Sequence, residues 1–193
     1  MRRVNAAFIL LLFGTAVGAM YACNSSSSKD PEKAPAPSQA EMVKRGEYLV
    51  ASIGCDDCHS PKRMGPKGPE VIPELRLSGY PADRPLPPID TNTLKKGWYL
   101  LGSDLTSAVG PWGVSFAANL TSDTTGIGGW TEQNFLTAIR HGKAKGLESN
   151  RDLLPPMPWY NFAKLTDDDL KAMFAYLKST PPVVNVVPAP KSL

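Results

Sequence analysis

Cysteine and histidine are scarce in this chain: its 193 residues hold three cysteines and two histidines. A tetrahedral zinc site needs about four such ligands at ordered spacing, so that reading is poor. Charge of one sign is lacking too. The net charge is +3, and residues 1–22 contribute Arg2 and Arg3 with no acid, so the remainder carries +1. No nucleic-acid partner is implied by so even a balance. No internal repeat is visible. The hydrophobic fraction of 42% is ordinary for a globular protein, while 19 prolines and 16 glycines predict much loop.

What cysteine and histidine there is falls mostly in one place, Cys55-Asp56-Asp57-Cys58-His59. Cys-x-x-Cys-His is the attachment signature of c-type haem. Two thiols three residues apart can add across the two vinyl groups of one porphyrin edge. The next residue, His59, then lies under the iron as an axial ligand. A thioredoxin-like pair would want a strand before the motif, whereas the preceding segment reads as helix. One motif predicts one covalent haem c.

The remaining cysteine, Cys23, follows a basic start and an apolar run from Ala6 to Met20. That run is interrupted by Gly14, Thr15 and Gly18, is short for a membrane span and reads as a secretory signal. Met20-Tyr21-Ala22-Cys23 resembles an imperfect bacterial lipobox. Cys23 is the odd cysteine of an exported chain, and a lipid thioether would account for it. The expected organisation is a signal peptide at 1–22, a Ser-, Pro- and Lys-rich flexible tether at 23–37, a haem domain at 38–182 and an extended tail at 183–193.

Within the domain, Ser38-Gln39-Ala40-Glu41 is a capping box. It predicts a helix from Gln39, with Met42, Gly46, Leu49 and Ile53 on one face and Gly54 ending it. Gly46 in mid-helix costs roughly 1 kcal/mol against Ala, which close approach of another helix would explain. Residues 60–130 are Pro- and Gly-rich with little period, so they need a cofactor to wrap; Val114–Leu120 is the best strand within them. Trp98, Trp112, Phe116 and Trp130 could cover the porphyrin. Thr131 predicts a cap for a helix from Glu132 to Arg140, and Thr166 caps a last helix ended by Pro181 and Pro182. Leu170, Met173, Phe174 and Leu177 share one face of that helix.

The far side of the iron needs a ligand from a distant segment. Met1 and Met20 leave with the signal, Met42 and Met173 read as core, and Met64 is too near His59. Met157, in Pro155-Pro156-Met157-Pro158, has a loop stiffened by proline and is the expected ligand. His141, beside Arg140 and Lys143, is the rival.

Together these features resemble the class I cytochrome c family. Pro111-Trp112-Gly113, Ala118-Asn119-Leu120-Thr121, Thr125 to Trp130 and Met157-Pro158-Trp159 further resemble cytochrome subunits of bacterial membrane-bound alcohol, aldehyde and gluconate dehydrogenases. Those subunits usually carry three haem modules, and this chain has one motif. The resemblance implies a mainly α cytochrome c fold of three to five helices around one haem, with a long irregular insertion and a short β-hairpin. It implies that the first and last helices cross at Gly46 against Phe174 or Tyr176. It also implies an electron carrier rather than an enzyme, working between redox partners such as a dehydrogenase or terminal oxidase. Its place would be the periplasmic side of a bacterial membrane, anchored by lipid on Cys23. The alternative is a peroxidase-like haem enzyme or gas sensor with an open iron position.

Overall fold

The computed structural model describes residues 36–193. The expected signal segment, Cys23 and nearly all of the tether lie outside the described residues. Among those described, no helix is long and apolar enough to cross a membrane.

Helix α1 (Gln39–Ser52) begins at the capping box: Ser38 Oγ accepts from the Glu41 amide, and the Glu41 carboxylate accepts from the Ser38 amide at 2.8 Å. A five-residue helix, α2 (Cys55–His59), follows directly. Helix α4 (Glu132–Arg140) starts at Thr131, whose cap is reciprocated by Asn134, and α6 (Asp167–Ser179) starts at Thr166. Two short helices, α3 (Thr91–Lys95) and α5 (Trp159–Phe162), add to those expected from the sequence.

α1 packs across α6, and Gly46 is the reason the two backbones can meet. A Cβ at Gly46 would stand 1.9 Å from the Ala172 carbonyl oxygen and 2.7 Å from Tyr176 Cβ. Tyr176, rather than Phe174, is therefore the aromatic at the crossing. Leu49, Val50, Phe135, Ile139, Leu170, Met173 and Leu177 close the core between α1, α4 and α6. Phe174 lies at its edge, its ring 5.6 Å from that of Phe135.

The stretch between α2 and α4 departs from the expected single hairpin. It holds two small antiparallel sheets, so the domain is mixed rather than mainly α, with six α-helices against the expected three to five. β1 (Lys62–Gly65) pairs with β2 (Gly68–Val71); β3 (Leu100–Leu101), β4 (Ser107–Gly110) and β5 (Gly113–Phe116) form a three-stranded meander. The expected strand at 114–120 is β5, starting one residue earlier and ending at Phe116. Both tight hairpins use one spelling, Gly65-Pro66-Lys67-Gly68 and Gly110-Pro111-Trp112-Gly113, with glycine pairing glycine across the turn. Proline presets the first corner, and Gly68 (φ +120°) and Gly113 (φ +94°) take the left-handed exit.

Between strands the backbone is held by a second repeated device. Asp104, Asn119 and Asp123 each accept, through one side-chain oxygen, the amide and hydroxyl of the threonine two residues on. The distances are 3.2 and 2.7 Å at Thr106, 2.9 and 2.8 Å at Thr121, and 2.7 and 2.6 Å at Thr125. The tail then runs back over this region. Asn119 donates to the Val183 carbonyl at 2.8 Å, Asn185 donates to the Ser78 and Tyr80 carbonyls at 2.7 and 2.9 Å, and Lys191 bridges Val114 on β5.

Candidate functional site

The Cys-x-x-Cys-His turn is α2 itself. On a helix this short, Cys55 and Cys58 lie one turn apart with His59 immediately beyond. Both cysteines are unpaired thiols, and each is partly buried. Burial, with the Asp56 charge adding to it, pushes the Cys55 thiol up to about 12, and burial also raises Cys58. A disulfide oxidoreductase does the opposite and lowers its attacking thiol.

His59 is buried, and burial lowers its affinity for a proton. Its Nδ1 lies 2.7 Å from the carbonyl oxygen of Ala118, in the segment after β5. A neutral imidazole donating there leaves Nε2 as the ring nitrogen free to bind a metal, and fixes the ring's orientation.

The turn is clamped from outside. Asp56 accepts a bidentate pair from Arg76, at 3.0 Å from Nε and 2.7 Å from Nη2, and Ser60 Oγ donates to it at 2.6 Å. Arg76 Nη1 reaches the Tyr176 hydroxyl at 2.6 Å, so the side chain that fills the α1–α6 crossing also steadies the attachment turn. The bonds to Asp56, and then to Tyr176, raise the affinity of Arg76 for its proton. No short-range signal in the sequence announces this triad, whose members stand 20 and 100 residues apart.

Met157 is half-buried and packs, with Cys55, Leu120, Trp130, Leu136, Phe162 and Leu165, against the same buried cluster between α1, α4 and α6. Its loop is pinned at three points. The Leu153 amide donates to the Gly142 carbonyl at 2.6 Å, Ser115 Oγ on β5 donates to the Pro155 carbonyl at 2.6 Å, and the Trp159 indole lies against Gly142. Trp112 Nε1 donates to the same Ser115 hydroxyl at 3.2 Å. The other candidates go elsewhere. His141 is 59% exposed and paired with Glu148 at the surface, Met64 is 75% exposed on β1, and Met173 is core. Of the four aromatics expected over a porphyrin, Trp130 borders the cluster, Phe116 meets Tyr80 with the rings tilted and their centroids 4.7 Å apart, and Trp112 meets Tyr99 edge-on at 5.0 Å. Trp98 is 67% exposed.

Two free thiols and an oriented, neutral imidazole on one turn, set against an apolar wall, define a covalent haem-binding module of the c type. A family model described as cytochrome c matches residues 43–181, and the chain belongs to the cytochrome c family. It carries haem c covalently, with Cys55, Cys58 and His59 as its attachment motif. It is similar to the fructose dehydrogenase cytochrome subunit of Gluconobacter japonicus, 28% identical over 95% of this chain and 28% of that protein. It also resembles the gluconate 2-dehydrogenase cytochrome c subunit of Pantoea cypripedii, 32% identical over 70% of this chain and 22% of that protein. The cytochrome c subunit of the quinone-dependent alcohol dehydrogenase of Gluconobacter oxydans is 29% identical over 70% of this chain and 20% of its own length. The chain thus spans less than a third of each of these relatives. The likeness to dehydrogenase cytochrome subunits read from the sequence is borne out, and the family's work is electron transfer rather than substrate chemistry.

Proposed function

We propose that this chain is a monohaem cytochrome c that receives single electrons from a dehydrogenase and passes them to a further redox protein, its iron held by His59 on one side and Met157 on the other. The observation that carries this reading is that Met157 and Cys55 pack against one apolar cluster, with the Met157 loop anchored at three points. A preordered sulfur loses little entropy on binding iron, and a filled sixth position suits an iron that must change charge without taking up small molecules. The dehydrogenase as donor is supported by the names of the relatives. Export, and a lipid on Cys23 holding the domain to the periplasmic side of a membrane, are supported by the basic-then-apolar start and the odd cysteine. On this reading residues 38–182 form the haem domain, 23–37 its tether and 183–193 a tail that fastens it.

The test is spectroscopic. Oxidised holoprotein should show the weak near-infrared sulfur-to-iron band, and the ferrous form should refuse carbon monoxide. Met157→Ala should lose the band, lower the reduction potential and gain carbon monoxide binding. Ready binding of carbon monoxide by the wild type would turn the assignment toward an open-site haem enzyme or sensor. The lipid has its own check: Cys23→Ser should be released from the membrane fraction that holds the wild type.

A further inference from the structure

Three cations reach the haem-attachment turn or Asp104, whose carbonyl also meets Lys62, and two of them are neutralised. Arg76 is paired with Asp56, and Arg84 with Asp104. The third, Lys62, is the first residue of β1 and enters no ion pair among the described residues. Its ammonium is held instead on four backbone carbonyls: Asp56 at 3.1 Å, Asp57 at 2.7 Å, Ser60 at 3.0 Å and Asp104 at 3.1 Å. An ammonium has three N–H bonds, so one is shared and none is left to reach a carboxylate.

The placement of those carbonyls matters. The Asp57 carbonyl belongs to the peptide bond leading into Cys58, and the Ser60 carbonyl lies one residue beyond His59. The positive charge is therefore fixed beside the segment that holds both a thioether position and the axial imidazole. Part of its role is to cap the end of α2, where it takes the Asp57 carbonyl and shares the Asp56 carbonyl with the Ser60 amide. A cap needs donors only, and a neutral group could supply them. A whole charge, half-buried and in no ion pair among the described residues, does more: it acts on any neighbouring group whose own charge changes.

We propose that Lys62 is a positioning residue that sets the reduction potential, its fixed ammonium favouring the ferrous over the ferric haem. The electron arrives from the redox partner and lowers the iron's charge by one, with no bond made or broken. A cation held nearby stabilises the reduced side of that balance. The inference rests on the proposed role of His59 and is independent of which residue lies on the far side of the iron.

Potentiometry of the purified holoprotein tests it, comparing wild type with Lys62→Gln, Lys62→Met and Lys62→Arg at one pH, alongside melting temperature and the near-infrared band. Gln and Met should raise the oxidised-to-reduced ratio at a fixed applied potential roughly three- to tenfold. At 59 mV per tenfold for one electron that is a fall of about 28–59 mV. Arg, which keeps the charge, should hold the wild-type potential. The band should stay in all three, since the ligand loop is untouched. If Gln and Met lower the melting temperature but leave the potential in place, Lys62 is a structural cap only and the proposal is overturned. It is overturned equally if Arg shifts the potential as far as Gln does. Should Met fail to fold, the Gln and Arg pair still decides it. A wild type lacking the band would count against Met157 alone and leave the Lys62 comparison readable.

Discussion

The helical frame and the long middle segment solve the same problem with different chemistry. α1, α4 and α6 are held by apolar faces that meet at a glycine, and their ends are closed by side-chain caps. The segment from Ser60 to Trp130 has few buried apolar side chains of its own, chiefly Leu77, Tyr80, Val109, Val114 and Ile127. It is held by Asx–threonine turns, by two Gly-Pro-x-Gly hairpins and by the tail laid across it. Yet this segment supplies the Ala118 carbonyl that orients His59 and the Ser115 hydroxyl that fixes the Met157 loop. Burial builds the wall of the site, and directional polar contacts aim the groups that face it.

If that division holds, the most damaging small change should fall at the frame's closest approach. Gly46→Val would drive a branched side chain into the Ala172 carbonyl, a backbone atom that cannot step aside. We expect a loss on the order of 4 kcal/mol, seen as collapse of the holoprotein's thermal transition and of its yield. A near-normal melt would mean that the crossing is looser than described and that the frame does not depend on it.

The two Gly-Pro-x-Gly turns then offer an internal control. Gly68 has positive φ and nothing within 4 Å of a built Cβ, so Gly68→Ala carries only backbone strain. About 1 kcal/mol is expected, a fall of roughly 2–4 °C in melting temperature. Gly113 has the same handedness, but its Cβ would stand 2.2 Å from the Lys191 carbonyl. Gly113→Ala should cost about 2–3 kcal/mol and free the tail, raising hydrogen exchange at the Val114 and Lys191 amides, which pair with one another's carbonyls. Equal effects at the two positions would show that the tail contributes nothing to the middle segment.

The same division explains how much could be read in advance. The three long helices announced themselves because their caps are spelled locally, as Ser38 with Glu41, Thr131 and Thr166, and because their apolar residues recur at helical spacing. The strands did not. Each has four residues or fewer, and β4 is buried along its whole length, so no alternation marks it. Their signal sat in the turns, in Gly-Pro-x-Gly and in Asp/Asn-x-Thr, which say where a chain bends but not what it pairs with. The attachment motif was fully legible. The groups that orient it were not, because Arg76, Tyr176 and Ala118 reach it only through the fold.

The gentlest test is an acid one, aimed at Asp104 in the middle segment. Burial by itself would raise the carboxyl pKa of Asp104, but its pair with Arg84 and its bonds to the Thr106 hydroxyl and amide outweigh burial and hold it below the ordinary 3.8. A carboxylate whose folded pKa is depressed contributes stability that is complete above its unfolded pKa and fades as the pH falls through the folded one. The contribution should therefore be whole at about pH 5 and diminishing at about pH 3. Hydrogen exchange, corrected for its intrinsic pH dependence, should show the amides of Leu105, Thr106 and Ala117 losing protection over that interval, while Leu49, Val50 and Leu177 on the helical frame keep theirs. Asp104→Asn keeps an oxygen for Thr106 but gives up the charge that pairs Arg84. It should show the lower protection already at the higher pH and change little on acidification. If wild type and Asp104→Asn lose protection in parallel, or if frame and middle segment open together, then Asp104 does not govern the segment and the separation between the two regions fails.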